Sequence, residues 1–179
     1  MSDRAPGELE FVRLFVNTLE VETGEDELSD PRTLQAWLEA HGLVCGGTAA
    51  AADLHAARRL REAIRSLLAE NTGPSARKEA AQTLDEAADA ARLAVRFDPG
   101  GGAQLEPAAA GVPGALGRLV AIAAAAMANG TWNRLKACRA DDCRWAFYDH
   151  ARNRSRRWCS MAVCGNRTKA RSYRRRHAS

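Results

Sequence analysis

The sequence is expected to carry no export leader. Its opening, Met1-Ser2-Asp3-Arg4-Ala5-Pro6-Gly7-Glu8, shows neither a basic region leading into an apolar stretch nor a small-residue cleavage site behind one, which excludes an ordinary signal peptide. Long apolar runs are missing too. The longest uncharged one, Leu119 to Ala128, is about half of what a bilayer crossing requires and is expected as a buried helix. A cytoplasmic protein with no membrane partner is the expectation. Catalytic equipment is equally scarce: there is no Ser-His-Asp set and no pair of catalytic carboxylates, so an enzyme is not expected. Asp149-His150 is the one suggestive pair, and neighbours in a turn rarely act together. The glycines at 100–102 come without a G-x-G-x-x-G pattern or a Walker lysine and read as a hairpin turn. Of only five cysteines, Cys45 stands alone in a Gly-rich turn, where a small buried or half-buried thiol is expected.

The other four cysteines form the most specific signal, Cys138-x4-Cys143-x15-Cys159-x4-Cys164. Two cysteines with four residues between them can turn onto one ion from a tight loop, and the spacer is long enough for a hairpin that brings both loops together. One structural Zn2+ is the cofactor expected, because four thiolates close its coordination shell. Two disulfides, or four unrelated thiols, are the alternatives. Cys159 and Cys164 would point about 140° apart on a continuous helix, so a helix must begin between them, with Ser160 as its N-cap.

Charge divides the chain. Residues 131 to 179 carry 14 Lys and Arg against 3 Asp, a net of +11, which leaves a net of −7 for positions 1 to 130. A basic module on an acidic body points to a polyanionic partner, nucleic acid and double-stranded DNA first. Arg167, Arg171, Arg174 and Arg175 stand at i, i+4, i+7 and i+8, one basic helical face suited to phosphates, where Arg167 and Arg171 could also reach guanine edges. Lys169 adds to this helix, Asn166 either reads adenine or caps the zinc loop, and Arg152, Arg154, Arg156 and Arg157 make a second basic loop near the metal. RNA or an acidic protein surface is the runner-up partner. Trp145, Phe147 and Trp158 are core candidates before base-stacking ones, since so small a module needs large rings.

The fold class expected is mainly α with a small β-hairpin over residues 1–130, followed by a small treble-clef-like zinc module over 131–179. Leu9, Val12, Phe15, Val16 and Leu19 predict a first core helix from Glu8 to Val21, with Asn17 inside it as a residue that faces water or bonds to backbone, or else contacts a ligand. Asp30-Pro31 predicts the start of a second helix ending near Gly42. Thr48 to Glu70 predicts a third, with Arg58, Arg59, Arg61, Glu62 and Arg65 on its solvated side and His55 on the surface. A fourth helix is expected over Ala76 to Ala91, a hairpin near 93–106, and a central core helix from Gly111 to Ala128. Trp132 to Ala137 is expected to run extended into Cys138.

The segment Arg156-Arg157-Trp158-Cys159-Ser160-Met161-Ala162-Val163-Cys164-Gly165-Asn166-Arg167 closely resembles the signature of the CGNR zinc-finger family, named for the residues at 164 to 167. Phe15-Val16-Asn17-Thr18 and the Asp26-Glu27-Leu28 to Trp37-Leu38 segment resemble the ABATE domain that commonly precedes that finger. The resemblance implies a bacterial, stress-related regulator of transcription, with a small-molecule effector or a homodimer as further expectations for the N-terminal part. Spacing and charge alone reach a zinc-stabilised nucleic-acid-binding module on a helical body.

Overall fold

A computed structural model describes residues 3–44, 47–72 and 77–177, and only the backbone of Arg77, Ser172, Arg175 and Arg176. Cys45 lies outside these residues. The elements are α1 (Leu9–Val16), α2 (Pro31–Ala40), α3 (Ala51–Glu70), α4 (Arg77–Ala91), a hairpin of β1 (Leu93–Phe97) and β2 (Ala103–Pro107), and α5 (Gly111–Ala128). A 3-10 turn at Trp132–Arg134 leads into a second hairpin of β3 (Leu135–Ala137) and β4 (Ala146–Tyr148), then a π turn at Met161–Gly165 and α6 (Asn166–His177). The mainly α body, the two small antiparallel hairpins and the cysteine cluster give the fold class the sequence leads one to expect.

α5 is the centre. Nearly all its residues are apolar, and although it is long and apolar enough to cross a membrane, 11 of its 18 residues are buried inside the protein. Around it pack Leu9, Val12, Phe15 and Val16 of α1, Leu34 and Leu38 of α2, and Leu60, Ile64 and Leu68 of α3, all in one core. Gly117 allows the end of α4 to come close: a Cβ there would meet the Cβ of Ala91 at 2.1 Å, a separation no pair of carbons tolerates.

The first helix is shorter than its apolar spacing predicts, and buried arginines explain why. α1 stops at Val16, with Asn17 as its C-cap. Arg65 Nη2 donates to the carbonyls of Val16 and Leu19, and Arg61 donates to Thr18 Oγ1 at 3.1 Å and to both oxygens of Asp26 at 2.6 and 3.0 Å. These carbonyls therefore find donors without another helical turn, and Leu19 bridges to Asp26 instead. Helical spacing puts Arg61 and Arg65 on the solvated side of α3, yet they are 3 % and 1 % exposed. Periodicity counted them as polar and did not see that an irregular loop needed their protons. Burial alone would raise the Asp26 carboxyl, but Arg61 outweighs it and holds that group below the usual range.

Each hairpin has two faces of different chemistry because side chains alternate along a strand. In the first, Val95 lies opposite Leu105, and Phe97 opposite Ala103, on one side, while Arg96 and Gln104 share the other. Its turn is set by Asp98, whose carboxylate accepts from the Gly100 N–H at 2.7 Å and occupies the space where a side chain at residue 102 would sit. The glycines at 100–102 thus serve a turn. In the second hairpin, Leu135, Ala137, Ala146 and Tyr148 join the large core, whereas Phe147 turns to the cysteine cluster. This hairpin is a wall shared by two cores.

Candidate metal centre and nucleic-acid interface

Cys138 follows β3 directly, its N–H bonded to the Trp145 carbonyl at 2.9 Å, and the chain then turns back through Cys143, whose N–H bonds to Ala140 at 2.9 Å. The other loop is held against this knuckle by the Arg139 N–H on the Arg157 carbonyl at 2.9 Å. Ser160 is extended, and its hydroxyl accepts from the Val163 N–H at 3.3 Å, so the helix begins between the two last ligands. The Gly165 N–H reaches back five residues to Ser160, and this wide first turn carries Cys164 toward the other sulfurs. A knuckle, a hairpin and a helix bearing the last ligand make the treble-clef-like arrangement.

All four sulfurs lie within 4.8 Å of one another, with Cys143–Cys159 at 3.6 Å and Cys159–Cys164 at 3.7 Å. Tetrahedral zinc with bonds of about 2.3 Å places its sulfurs about 3.8 Å apart, so the cluster fits the ion as it stands. No disulfide joins these cysteines. Without a cation they cannot all ionise. Thiol hydrogen bonds from Cys143 and Cys159 drive Cys138 far down, and the resulting anion pushes Cys143 up to about 12 and Cys159 higher still. A divalent ion removes that conflict, and the chain holds one structural zinc here. Arg167 Nη2, 3.8 Å from Cys164 Sγ, balances part of the remaining thiolate charge. Around the sulfurs pack Ala140, Phe147, Trp145 and Trp158, so the aromatic residues serve as core.

A buried ion pair that the sequence expectations do not include shapes the second loop. Lys136 Nζ donates to Asp149 Oδ2 at 2.9 Å and to the carbonyls of Arg154 and Arg156, and both side chains are almost fully buried. Asp149 also accepts from the N–H groups of Ala151 at 2.9 Å and Arg156 at 3.0 Å. Burial would raise its carboxyl, but Lys136 and these N–H groups outweigh burial and hold it below the ordinary range. Asp149 is thus a structural anchor. A signal existed: Lys136 stands between Leu135 and Ala137 in a strand, where a charge must find a buried partner.

Asn17 spends both ends of its amide on the finger hairpin, donating to the Ala146 carbonyl at 2.9 Å and accepting from its N–H at 2.7 Å. Asn71, after α3, braces the facing strand by donating to Trp132 at 3.0 Å and to Leu135 at 2.8 Å. The Asp3 carbonyl accepts from Tyr148 N–H at 3.0 Å.

The basic residues divide by environment. Arg152, Arg154, Arg157, Asn166, Lys169, Arg171 and Arg174 are exposed, while the side chain of Arg175 lies outside the described residues. Arg156 is half-buried, stacked 4.7 Å over Phe147 and bonded to Asp3 at 2.9 Å and to the Cys159 carbonyl, so it stiffens the loop. Arg167 binds both oxygens of Glu22, and Arg171 binds Asp142 at 2.7 Å. The face of α6 expected to meet phosphates therefore already holds two carboxylates at its metal-proximal end. Arg139 and Arg144, exposed on the knuckle, are basic residues that the sequence expectations do not include, though their place around Cys138 and Cys143 marks them.

Two family models match the chain: that of the CGNR zinc finger over residues 134–177, and ABATE, described as "Putative stress-induced transcription regulator", over residues 11–130. No curated protein matches it. The four gathered sulfurs and these two matches in this order agree: the chain belongs to the ABATE family and carries a CGNR zinc finger after that domain.

Proposed function

We propose that the protein is a regulator of transcription whose zinc finger binds double-stranded DNA, while the acidic body responds to a small molecule or governs assembly. The observation that carries this reading is the exposed basic surface fixed around the metal. Arg139 and Arg157 are joined through their backbones beside the cysteines, and Arg152, Arg154, Lys169 and Arg174 extend the surface on either side. Groups held by a metal site present charge at fixed positions, which a polyanion with regular phosphate spacing rewards. The body, at net −7, would not approach such a partner by itself. A division of labour near residue 130 and a cytoplasmic location fit this reading. Arg167 and Arg171 must exchange carboxylates for phosphates or base edges, so they act after the first encounter.

Arg171 binding a carboxylate also favours a second reading, in which an acidic protein surface is the partner. Selection of bound sequences from a random duplex pool, using the zinc-loaded chain, separates the two. A defined motif is expected, and Arg157→Ala should weaken motif and random duplex alike, as loss of a phosphate contact does. Recovery of no duplex, or stronger binding to structured RNA than to any duplex, would overturn the DNA reading.

A further inference from the structure

The stripe that α6 turns to solvent is not the one its first two arginines make. At about 100° per residue, Asn166, Ala170 and Tyr173 stand at i, i+4 and i+7, within about 40° of one line along the helix. All three are exposed, Tyr173 at 60 %, and none is charged. Lys169 lies about 60° to one side of that line and Arg174 about 80° to the other, both exposed. Arg167 and Arg171 turn further round, to Glu22 and Asp142. On the opposite side of the helix, the Thr168 hydroxyl donates to the Cys164 carbonyl at 2.8 Å, so the metal site fixes which way the stripe points.

We infer that this uncharged stripe is the base-reading face of the finger, and that the pairs it reads are A·T. This rests on the proposed binding of duplex DNA and names what in the duplex the finger distinguishes. An uncharged centre with a cation on each flank matches the major groove, where base edges lie between two rows of phosphates. That groove is about 12 Å wide and a helix is about 10 to 12 Å across. From Asn166 to Tyr173 is about 10 Å along the axis, the rise of about three base pairs. The side chains suit those edges. An Asn amide pairs bidentately with N6 and N7 of adenine. One Nδ2 hydrogen of Asn166 already goes to the Ala162 carbonyl at 3.2 Å, which holds the amide in place and leaves the second hydrogen and Oδ1 for a base. The Ala170 methyl and the Tyr173 ring offer apolar surface, and thymine is the base that presents a methyl in this groove. The Tyr173 ring is backed by His177, with centroids 4.2 Å apart, so it is held outward. Within the stripe there is no arginine or lysine to meet the two acceptors of guanine.

The test uses the full zinc-loaded chain and a duplex recovered from a random pool, with its thymines replaced one at a time by deoxyuridine, which lacks only the methyl, and its adenines by 7-deazaadenine, which lacks N7. The recovered motif should contain adjacent A·T pairs. Removing one contacted methyl should weaken binding about fourfold, and removing the contacted N7 roughly tenfold. Tyr173→Ala should abolish the sensitivity to deoxyuridine at one position and keep that to 7-deazaadenine, while Asn166→Ala should do the reverse. Arg157→Ala, outside the stripe, should weaken every duplex alike and keep both sensitivities. Zinc content and circular dichroism should stay unchanged in all three variants. Recovery of no duplex overturns the DNA reading and this inference with it. A duplex that is bound, yet lacks A·T pairs in its motif or is indifferent to both base analogues, overturns the inference alone. So do sensitivities that survive both Tyr173→Ala and Asn166→Ala, which would assign base reading to other residues.

Discussion

Chelating the zinc, or replacing Cys159 by serine, is expected to unfold the loops and helix built on the cysteines while the α1 to α5 body keeps its helical signal. The second core consists of Cys138, Ala140, Phe147 and Cys164 with four half-buried neighbours, far too little to stabilise these loops alone. A structural zinc site contributes about 10 to 16 kcal/mol, and that contribution vanishes with the metal. The large core needs none of it. Hydrogen exchange gives the readout residue by residue: the amides of Arg139, Cys143 and Gly165, bonded to Arg157, Ala140 and Ser160, should lose protection, while those in the middle of α5 should not. The β3–β4 hairpin should show an intermediate response, because Leu135, Ala146 and Tyr148 remain in the large core when Phe147 loses its neighbours. Unaltered exchange around the cysteines in metal-free protein would contradict this account.

Asp149→Ala should have the next largest effect, a loss of about 3 to 5 kcal/mol, because it leaves the Lys136 ammonium buried without its counter-charge. That is a large share of the 5 to 15 kcal/mol by which domains are typically stable. Two N–H groups, of Ala151 and Arg156, lose their acceptor in the same step. Adding Lys136→Met to Asp149→Ala should recover part of the loss, since the stranded charge is then gone, and urea unfolding of the two single variants and the double variant measures the coupling. The sign with pH follows from the carboxyl lying below its ordinary value in the folded protein. Its contribution is complete above about pH 5 and is lost as pH falls through the folded value, below about 4. A loss under 1 kcal/mol for Asp149→Ala would show that the pair is not what holds the loop.

The metal ligands were legible because thiolate spacing and ion chemistry are both local: two loops, each with two cysteines, leave little freedom in how the sulfurs meet. The helix start at Ser160 followed from the same geometry. The elements carried by strong periodicity or strong turn chemistry, α2 with its Asp30-Pro31 cap and the 93–107 hairpin around Asp98, also formed as read. What periodicity could not show was polar groups acting inside the fold. Arg61 and Arg65 read as surface charges, but Arg65 serves the carbonyls of Val16 and Leu19, which no helix satisfies, and Arg61 serves the Thr18 hydroxyl and the Asp26 carboxylate. Asn17 read as helical, yet its amide is committed to Ala146 far along the chain. Lys136 and Asp149 escaped for the same reason, since a buried pair is defined by two positions that no local pattern connects. Trp132 to Arg134 was expected to be extended and instead coils into a 3-10 turn, where Asn71 accounts for the Trp132 carbonyl.

Affinity for duplex DNA as a function of salt, measured with the zinc-loaded chain, tests the central claim most directly. If the exposed arginines around the cysteines meet about five phosphates, a double-logarithmic plot should fall with a slope of roughly −4 to −5. Arg139→Ala and Arg157→Ala should each reduce its magnitude by about 1. A binding constant indifferent to salt and to both substitutions, or no binding at all with the zinc in place, would contradict it.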